Sequence, residues 1–110
     1  MKNTNQFKKG VLELCVLYSL QKKDRYGYEL TQKIDHHISI TEGALYPVLR
    51  RLVKEGYCKT YLKESSSGPA RKYYSLTNEG RDYLGRLTQE WDIFVQNVQF
   101  LREEEDNEQD

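Results

Sequence analysis

The feature that most constrains the fold is an apolar seam in the last third of the sequence. Six apolar residues follow one another at spacings of 3, 4, 3, 4 and 3, which is the a/d pattern of a heptad repeat. A helix over residues 77–102, with Thr77 as its N-cap, is predicted to be roughly 37 Å long. The small body before it cannot cover such a stripe, so we expect a homodimer in which a second copy covers it. The predicted interface consists of Leu84, Leu87, Trp91, Phe94, Val98 and Leu101.

The charge of the chain is divided between its two parts. Residues 1–76 carry 14 basic and 7 acidic residues, whereas residues 77–110 carry 3 basic and 10 acidic ones. The net charges are therefore +7 and −7 in a chain that is neutral as a whole. The first part suits a polyanionic partner, although an ordinary basic surface has the same composition. Residues 103–110 are predicted to form a disordered acidic tail.

Three helices are predicted in the first half of the chain. Residues 7–20 are apolar nearly all round, so this helix needs cover on several sides, and residues 27–36 form a second helix. A third helix begins after the N-cap Thr41 and ends at Gly56. Its buried stripe is predicted to be Leu45, Val48, Leu49 and Leu52. Its opposite face carries Gly43, Tyr46, Pro47, Arg50 and Lys54.

A β-hairpin is predicted next, with strands at residues 57–63 and 71–76 joined by a turn at residues 65–69. Helix, helix, turn, helix and hairpin is the order of a winged helix-turn-helix. We therefore predict a mainly α fold with a small β-hairpin (α+β). In this division residues 1–76 form the winged domain and residues 77–102 form a C-terminal dimerisation helix.

The third helix and the hairpin are suited to binding double-stranded DNA. The major groove is about 12 Å wide and admits one α-helix. The small residues from Thr41 to Ala44 allow a close approach to base edges, and Arg50 and Lys54 can reach bases or phosphates. Phosphate contacts supply most of the affinity, while base contacts specify the sequence. The hairpin offers three basic residues for flanking phosphates: Lys63, Arg71 and Lys72.

The most specific signal is the stretch TEGALYPVLRRL at residues 41–52, where a gapped glycine–aliphatic–Tyr–Pro pattern precedes a basic pair. YGYEL at residues 26–30, EGY at residues 55–57 and GPARKYYSLT at residues 68–77 accompany it. Together these stretches closely resemble the PadR family of bacterial regulators. The resemblance extends over residues 7–102, which is almost the whole chain.

Resemblance to the PadR family implies a dimer held by the C-terminal helix, with the first helix of one subunit packed on it. It also implies DNA contacts from the third helix and the wing. Ala44 stands where many members have threonine, so a hydroxyl contact is lost there. Together with the basic residues found above, the predicted DNA-binding residues are Tyr26, Thr41, Gly43, Ala44, Tyr46, Pro47, Arg50, Lys54, Lys63, Arg71 and Lys72.

The short C-terminal helix resembles a compact PadR subfamily. One multidrug-sensing branch of it binds flat aromatic compounds between the subunits, stacked on tryptophans, and Trp91 stands at the matching place. The resemblance therefore implies a planar aromatic ligand that releases the protein from DNA. An aromatic residue on an a/d seam is also ordinary interface core, which would make the regulator constitutive. A winged-helix protein-interaction module is a third alternative, against which the basic third helix and wing argue.

The remaining residues indicate little other chemistry. His36 and His37 are adjacent and do not share a helical face, so no metal site and no cofactor are expected. The sequence contains no nucleophile–base pair and no phosphate-binding loop, so an enzyme is not expected. Cys15 and Cys58 are expected to be reduced packing residues. Without an 18-residue apolar run or a signal peptide, the chain is expected to be cytoplasmic with no membrane contact. We expect a repressor, since no activation domain is evident, acting on a pseudo-palindromic operator.

Overall fold

The computed structural model describes residues 11–108, which form four helices and three strands. The helices are α1 (Leu12–Ser19), α2 (Gly27–His37), α3 (Glu42–Lys54) and α4 (Asn78–Asp106). The strands are β1 (Arg25–Tyr26), β2 (Cys58–Ser65) and β3 (Gly68–Leu76). This architecture confirms the predicted α+β fold of helices followed by a hairpin and a long last helix. The predicted start of the first helix, at residue 7, lies outside the described residues.

Polar caps set the starts of the two longest helices. The Thr41 side chain accepts a hydrogen bond from the backbone N–H of Ala44 at 3.2 Å, and Thr77 accepts one from Gly80 at 3.0 Å. After α3, Gly56 adopts a φ of 83°, the left-handed conformation that glycine takes readily. The two N-caps and the glycine stop lie where the sequence predicts them, because all three depend on local chemistry.

The core is built around α1, which packs against α2, α3 and α4. Its buried residues are Leu12, Leu14, Val16 and Leu17. They lie on different sides of the helix, and this explains why the segment is apolar nearly all round: a central helix needs cover from several neighbours. From α3, the buried residues Leu45, Leu49 and Leu52 join the same core, and Val48 packs against it while remaining partly exposed.

The sheet has three antiparallel strands in the order β1-β3-β2. Strand β1 was not predicted from the sequence. Its residues Arg25 and Tyr26 pair with Tyr74 and Tyr73. Arg25 is held in place because its Nε donates a hydrogen bond to the carbonyl of Ser19 at 2.7 Å. A strand of two residues has no periodicity to detect, so it becomes visible only through its partner strand.

The hairpin turn is shorter than predicted. The strands are joined at residues 66–67, whereas Gly68 and Pro69 already belong to β3. The strand register shifts between Lys63 and Ser65, opposite Pro69. Proline has no backbone N–H to donate, and it is tolerated at such an irregularity because the regular ladder of hydrogen bonds is already interrupted there.

The last helix is longer than predicted, since α4 ends at Asp106 and not at Arg102. The prediction of a disordered tail is therefore wrong for residues 103–106. Glutamate is a good helix former and no helix-breaking residue intervenes, so the helix continues. One side-chain hydrogen bond supports this end, from Gln99 Nε2 to the Glu103 carboxylate at 3.2 Å.

The distal half of α4 projects from the body of the protein. Every residue from Gln89 to Glu108 is exposed, although this stretch includes seven large apolar side chains. The amphipathic helix therefore leaves much of its apolar surface uncovered within one chain. Among residues 11–108, no helix combines the length and the apolar character needed to cross a membrane.

Candidate nucleic-acid interface

One face of α3 is exposed along its whole length. Its first turn carries the small residues Gly43 and Ala44, and the face continues through Tyr46, Pro47, Arg50 and Lys54. Thirteen residues of α-helix span roughly 20 Å. The exposed residues between Gly43 and Arg50 therefore lie together, at the N-terminal end and in the middle of this face. Lys54 lies at the opposite, C-terminal end of the helix.

Two of the predicted contact residues at this end are also held by the fold. The Thr41 hydroxyl oxygen accepts the cap hydrogen bond from Ala44, which leaves the hydroxyl proton available to a partner. The hydroxyl end of the Tyr46 ring lies against Gly27, the first residue of α2. Tyr46 nevertheless remains exposed, so its position is fixed while part of the ring is accessible.

A row of tyrosines joins the wing, which is the hairpin of β2 and β3, to the start of α2. The centroid of the Tyr73 ring lies 5.6 Å from that of Tyr26 and 5.6 Å from that of Tyr61. Tyr61 Oη donates a hydrogen bond to the Asp24 carboxylate at 2.7 Å, and this bond raises the pKa of Tyr61. The wing is thus attached to the helix-turn-helix by ring packing, by this hydrogen bond and by pairing with β1.

Basic side chains of the wing lie over these rings. The guanidinium carbon of Arg71 is 4.5 Å from the Tyr26 ring centroid, and Lys63 Nζ is 5.3 Å from that of Tyr73. Lys72 Nζ is 5.9 Å from the ring of a neighbouring tyrosine. Such stacking restrains a long side chain while its charge stays in water. The three cations are therefore partly ordered before any partner binds.

The two predicted basic residues of β3 lie on opposite faces of the sheet. Arg71 pairs across the hairpin with Lys63, so these two cations share one face, together with Tyr26. Lys72 is the next residue along the strand and lies on the other face. The structure therefore brings Tyr26, Lys63 and Arg71 together but separates Lys72 from them.

The basic pair of α3 is also divided. Arg50 is exposed, whereas Arg51 forms an ion pair with Glu13 of α1. Sequence reasoning missed this pair, because the two residues are 38 positions apart and no local pattern links them. It also missed the packing of Tyr61 and Tyr73 on the wing, for which the only signal is the high number of tyrosines, nine in the chain.

A groove of about 360 Å³ lies between α1 and α4 and contains Trp91. The Trp91 side chain is 40% exposed. The groove is mainly apolar, but two carboxylate residues, Glu13 and Glu90, also line it. Among the described residues, the lining consists of Val11, Glu13, Leu14, Leu87, Glu90, Trp91 and Phe94. Such a groove is within the size range of sites for small organic molecules.

The predicted dimer seam on α4 is divided between the core and the surface. Leu84 is buried in the protomer's own core and Leu87 packs partly against it. The other four seam residues, Trp91, Phe94, Val98 and Leu101, are exposed. Three exposed apolar residues lie on the same half of the helix outside the predicted seam: Ile93, Val95 and Phe100. An apolar surface of this extent is typical of an interaction surface.

The histidines and cysteines do not form a chemical site within residues 11–108. His36 and His37 have ring centroids 5.0 Å apart, and no three His, Cys, Asp or Glu side chains of these residues group into a metal site. Cys15 and Cys58 are free thiols. Burial raises the pKa of Cys58 to about 11, so this thiol remains protonated near neutral pH.

Comparisons with known proteins agree with this geometry. The model of the transcriptional regulator PadR-like family matches residues 16–86, a segment that runs from α1 through the wing into α4. This is a family of transcriptional regulators and not of enzymes.

Solved structures and a curated relative extend the match. The crystal structure of a PadR-like transcriptional regulator from Bacillus cereus has a TM-score of 0.79 and 42% identity, covering 87% of this chain and 95% of that one. A PadR family regulator from Eggerthella lenta has a TM-score of 0.82 and 32% identity, covering 93% and 90%. A transcriptional regulator of Mycobacterium tuberculosis is 30% identical over 80 residues, covering 72% of this chain and 74% of that protein.

Proposed function

The chain belongs to the PadR-like family of DNA-binding transcriptional regulators, and we propose that it represses transcription by binding a pseudo-palindromic operator as a homodimer. One observation carries this proposal: the exposed face of α3 is accompanied by a wing whose Arg71 is stacked on Tyr26, at the N-terminal end of α2. A helix for the major groove and preordered cations for the adjacent phosphates are the two parts that sequence-specific binding requires.

Each part of this surface has a separate role in the proposed complex. The first turn of α3, from Thr41 to Ala44, approaches the base edges closely because its side chains are small. Arg50 reads a base, since arginine pairs with guanine through two hydrogen bonds. The wing cations Lys63, Arg71 and Lys72 bind phosphates. Lys72 contacts a different segment of the DNA backbone from the other two, because it lies on the other face of the wing. Tyr26, Tyr46, Pro47 and Lys54 complete the surface.

The exposed half of α4 supports the homodimer. Its four exposed seam residues lie along one stripe, and a second copy related by a two-fold axis presents the same stripe. Two-fold symmetry of the protein is then matched by a pseudo-palindrome in the DNA. Repression is the simplest outcome, because occupying a promoter excludes the polymerase without any further contact.

The proposed DNA surface predicts different losses for two alanine substitutions. Arg50→Ala should weaken binding to the operator by about tenfold and relax the base preference at one position. Lys72→Ala should weaken specific and non-specific DNA equally, and reduce the slope of log affinity against log salt by about 1. Fluorescence anisotropy of a labelled duplex over a series of salt concentrations measures both effects. The operator is obtained by selecting a random duplex library with the wild-type protein.

A matched control is Arg102→Ala, which removes one exposed cation from the distal part of α4. Its affinity and salt slope should equal those of the wild type. If Arg50→Ala and Lys72→Ala also bind the selected operator like the wild type, α3 and the wing are not the DNA surface. If the wild type selects no DNA sequence at all, a winged-helix module for a protein partner becomes the better proposal.

The groove around Trp91 supports a finer proposal, release from DNA by a planar aromatic ligand. The exposed indole face offers offset stacking, and Glu13 and Glu90 favour a positive charge on the bound molecule. In a two-fold dimer, the second copy brings its own α4 near this groove. A ligand weakens DNA binding only if it binds more tightly to one spacing of the two subunits.

Replacing the indole tests this ligand site. Proflavine, a planar cationic dye, should quench the fluorescence of the single tryptophan, and Trp91→Ala should lower its affinity about tenfold or more because the stacking partner is lost. Isothermal calorimetry measures the variant, which has no tryptophan signal. Phe100→Ala is the control, since it removes an exposed aromatic ring that does not line the groove. Equal binding by Trp91→Ala and the wild type would instead assign Trp91 to the dimer core of a constitutive regulator.

A further inference from the structure

Glu13 of α1 forms an ion pair with Arg51 of α3, the residue next to the proposed base reader Arg50. Its side chain is only 19% exposed, whereas that of Arg51 is 53% exposed. The carboxylate is therefore the more buried partner. Because a half-buried charge without a partner is costly, the pair favours one position of α3 relative to α1.

The same carboxylate also reaches the C-terminal helix. Burial, followed by a hydrogen bond to Glu13, raises the pKa of Tyr83 to about 12, so the Tyr83 hydroxyl remains a donor. The Tyr83 ring stacks on Tyr57 with centroids 4.0 Å apart and an interplanar angle of 10°. Glu13 thus connects α1, α3 and α4 at a single point.

Glu13 lines two neighbouring cavities. One is the groove that contains Trp91 and Glu90. The other is a smaller cleft that contains Arg51 and Tyr83. The carboxylate therefore lies between the groove proposed to hold a ligand and the helix proposed to enter the major groove. Within residues 11–108, no other residue is shared by the linings of these two cavities.

We propose that Glu13 is a positioning residue for DNA binding, which fixes the recognition helix α3 against α4 and couples it to the groove around Trp91. The coupling rests on the proposed function, because it concerns the same ligand groove and the same DNA surface. A cation in the groove competes with Arg51 for the Glu13 carboxylate. The loss of this ion pair leaves α3 less firmly held, and linkage requires that the effect be reciprocal.

The DNA arm of the test uses Glu13→Gln, which keeps the shape of the side chain and removes its charge. Simple electrostatics predicts tighter binding to every DNA, because one negative charge is lost and Arg51 is released. A positioning role predicts the opposite for the selected operator, an affinity about fivefold lower, while binding to a scrambled duplex is unchanged or tighter. The ratio of the two affinities is therefore the measurement. Thermal unfolding of the variant confirms that the fold is retained.

Glu55→Gln is the matched control, because Glu55 lines the same cleft and carries the same charge. Its ratio of operator to scrambled-duplex affinity should equal that of the wild type. In the double-mutant cycle with Arg51→Gln, the double variant should lose no more selectivity than Glu13→Gln alone. An unchanged ratio in Glu13→Gln, or losses that add in the double variant, would overturn the positioning role.

The groove arm needs no DNA. Arg51→Gln frees the Glu13 carboxylate, so proflavine should bind this variant more tightly than the wild type, by about threefold or more. Proflavine affinity equal to that of the wild type would overturn the coupling, and so would a wild type that binds no dye. Absence of sequence selectivity in the wild type would contradict the proposed function itself. Selectivity that Glu13→Gln leaves intact contradicts only this inference.

Discussion

Replacing both Phe94 and Val98 by glutamate is expected to give monomers that bind the operator far more weakly. The two side chains are 62% and 50% exposed in the single chain, so their substitution leaves the protomer core intact. In the proposed dimer they are buried, and two carboxylates per chain would lose their hydration without gaining a cation. A penalty of several kcal/mol raises the dissociation constant of the dimer by about a thousandfold or more.

The effect on DNA follows from the loss of the second half-site. A monomer binds one half-site only, and the effective concentration that links the two binding events disappears. Operator affinity should therefore fall by about a hundredfold or more. Leu87 is less suitable for this experiment than Phe94, because it also packs against the protomer core.

Sedimentation velocity distinguishes the outcomes directly. Gln89→Glu with Gln96→Glu is the matched control: it adds the same two charges on the opposite face of α4, and should remain dimeric. If the Phe94 and Val98 variant stays a dimer of normal stability, another surface holds the subunits together, and the exposed apolar stripe of α4 requires a different partner.

The elements of the fold that sequence reasoning recovered are those determined by local chemistry. Thr41 and Thr77 were predicted as N-caps because a hydroxyl can accept the free N–H groups of the first turn, and both do so. Gly56 was predicted as a stop because glycine adopts a positive φ, and it does so. The buried stripe of α3 follows from its helical period alone.

The parts that were missed depend on residues far apart in the chain. The two-residue strand β1 exists because β3, more than forty residues later, offers it a partner. The Glu13–Arg51 pair spans 38 positions. The end of α4 was placed too early because acidic composition was taken as a sign of disorder, although glutamate favours a helix.

The candidate DNA surface was predicted as a set of residues but not as an arrangement. The helical period puts Gly43, Tyr46 and Arg50 on one face, and the resemblance adds Tyr26. Only the structure brings Tyr26 beneath Arg71 and assigns Lys72 to the other face of the wing. The pairing of strands decides these neighbours, and a single sequence does not reveal its register when turn and bulge are both irregular.

Gly80→Ala is expected to cause a large loss of stability. A Cβ at this position would lie 2.0 Å from the backbone carbonyl oxygen of Tyr57. The first turn of α4 cannot move away easily, because the Thr77 N–H donates to the same carbonyl at 3.2 Å and its hydroxyl donates to the Gly56 carbonyl at 2.6 Å. Alanine favours a helix by about 0.5–1 kcal/mol over glycine, but a clash between two backbone segments costs more.

The expected net change is a loss of about 3 kcal/mol in the free energy of unfolding. Urea denaturation measures it at one fixed protein concentration, because the proposed dimerisation would contribute to stability. Gly85→Ala is the matched control in the same helix, since a Cβ there meets no atom of residues 11–108 within 4 Å apart from the adjoining backbone of its own helix. It should gain about 0.5–1 kcal/mol from helix propensity alone. If the two variants are equally stable, the close approach of α4 to Tyr57 relaxes without cost. The start of α4 is then not rigidly connected to the wing.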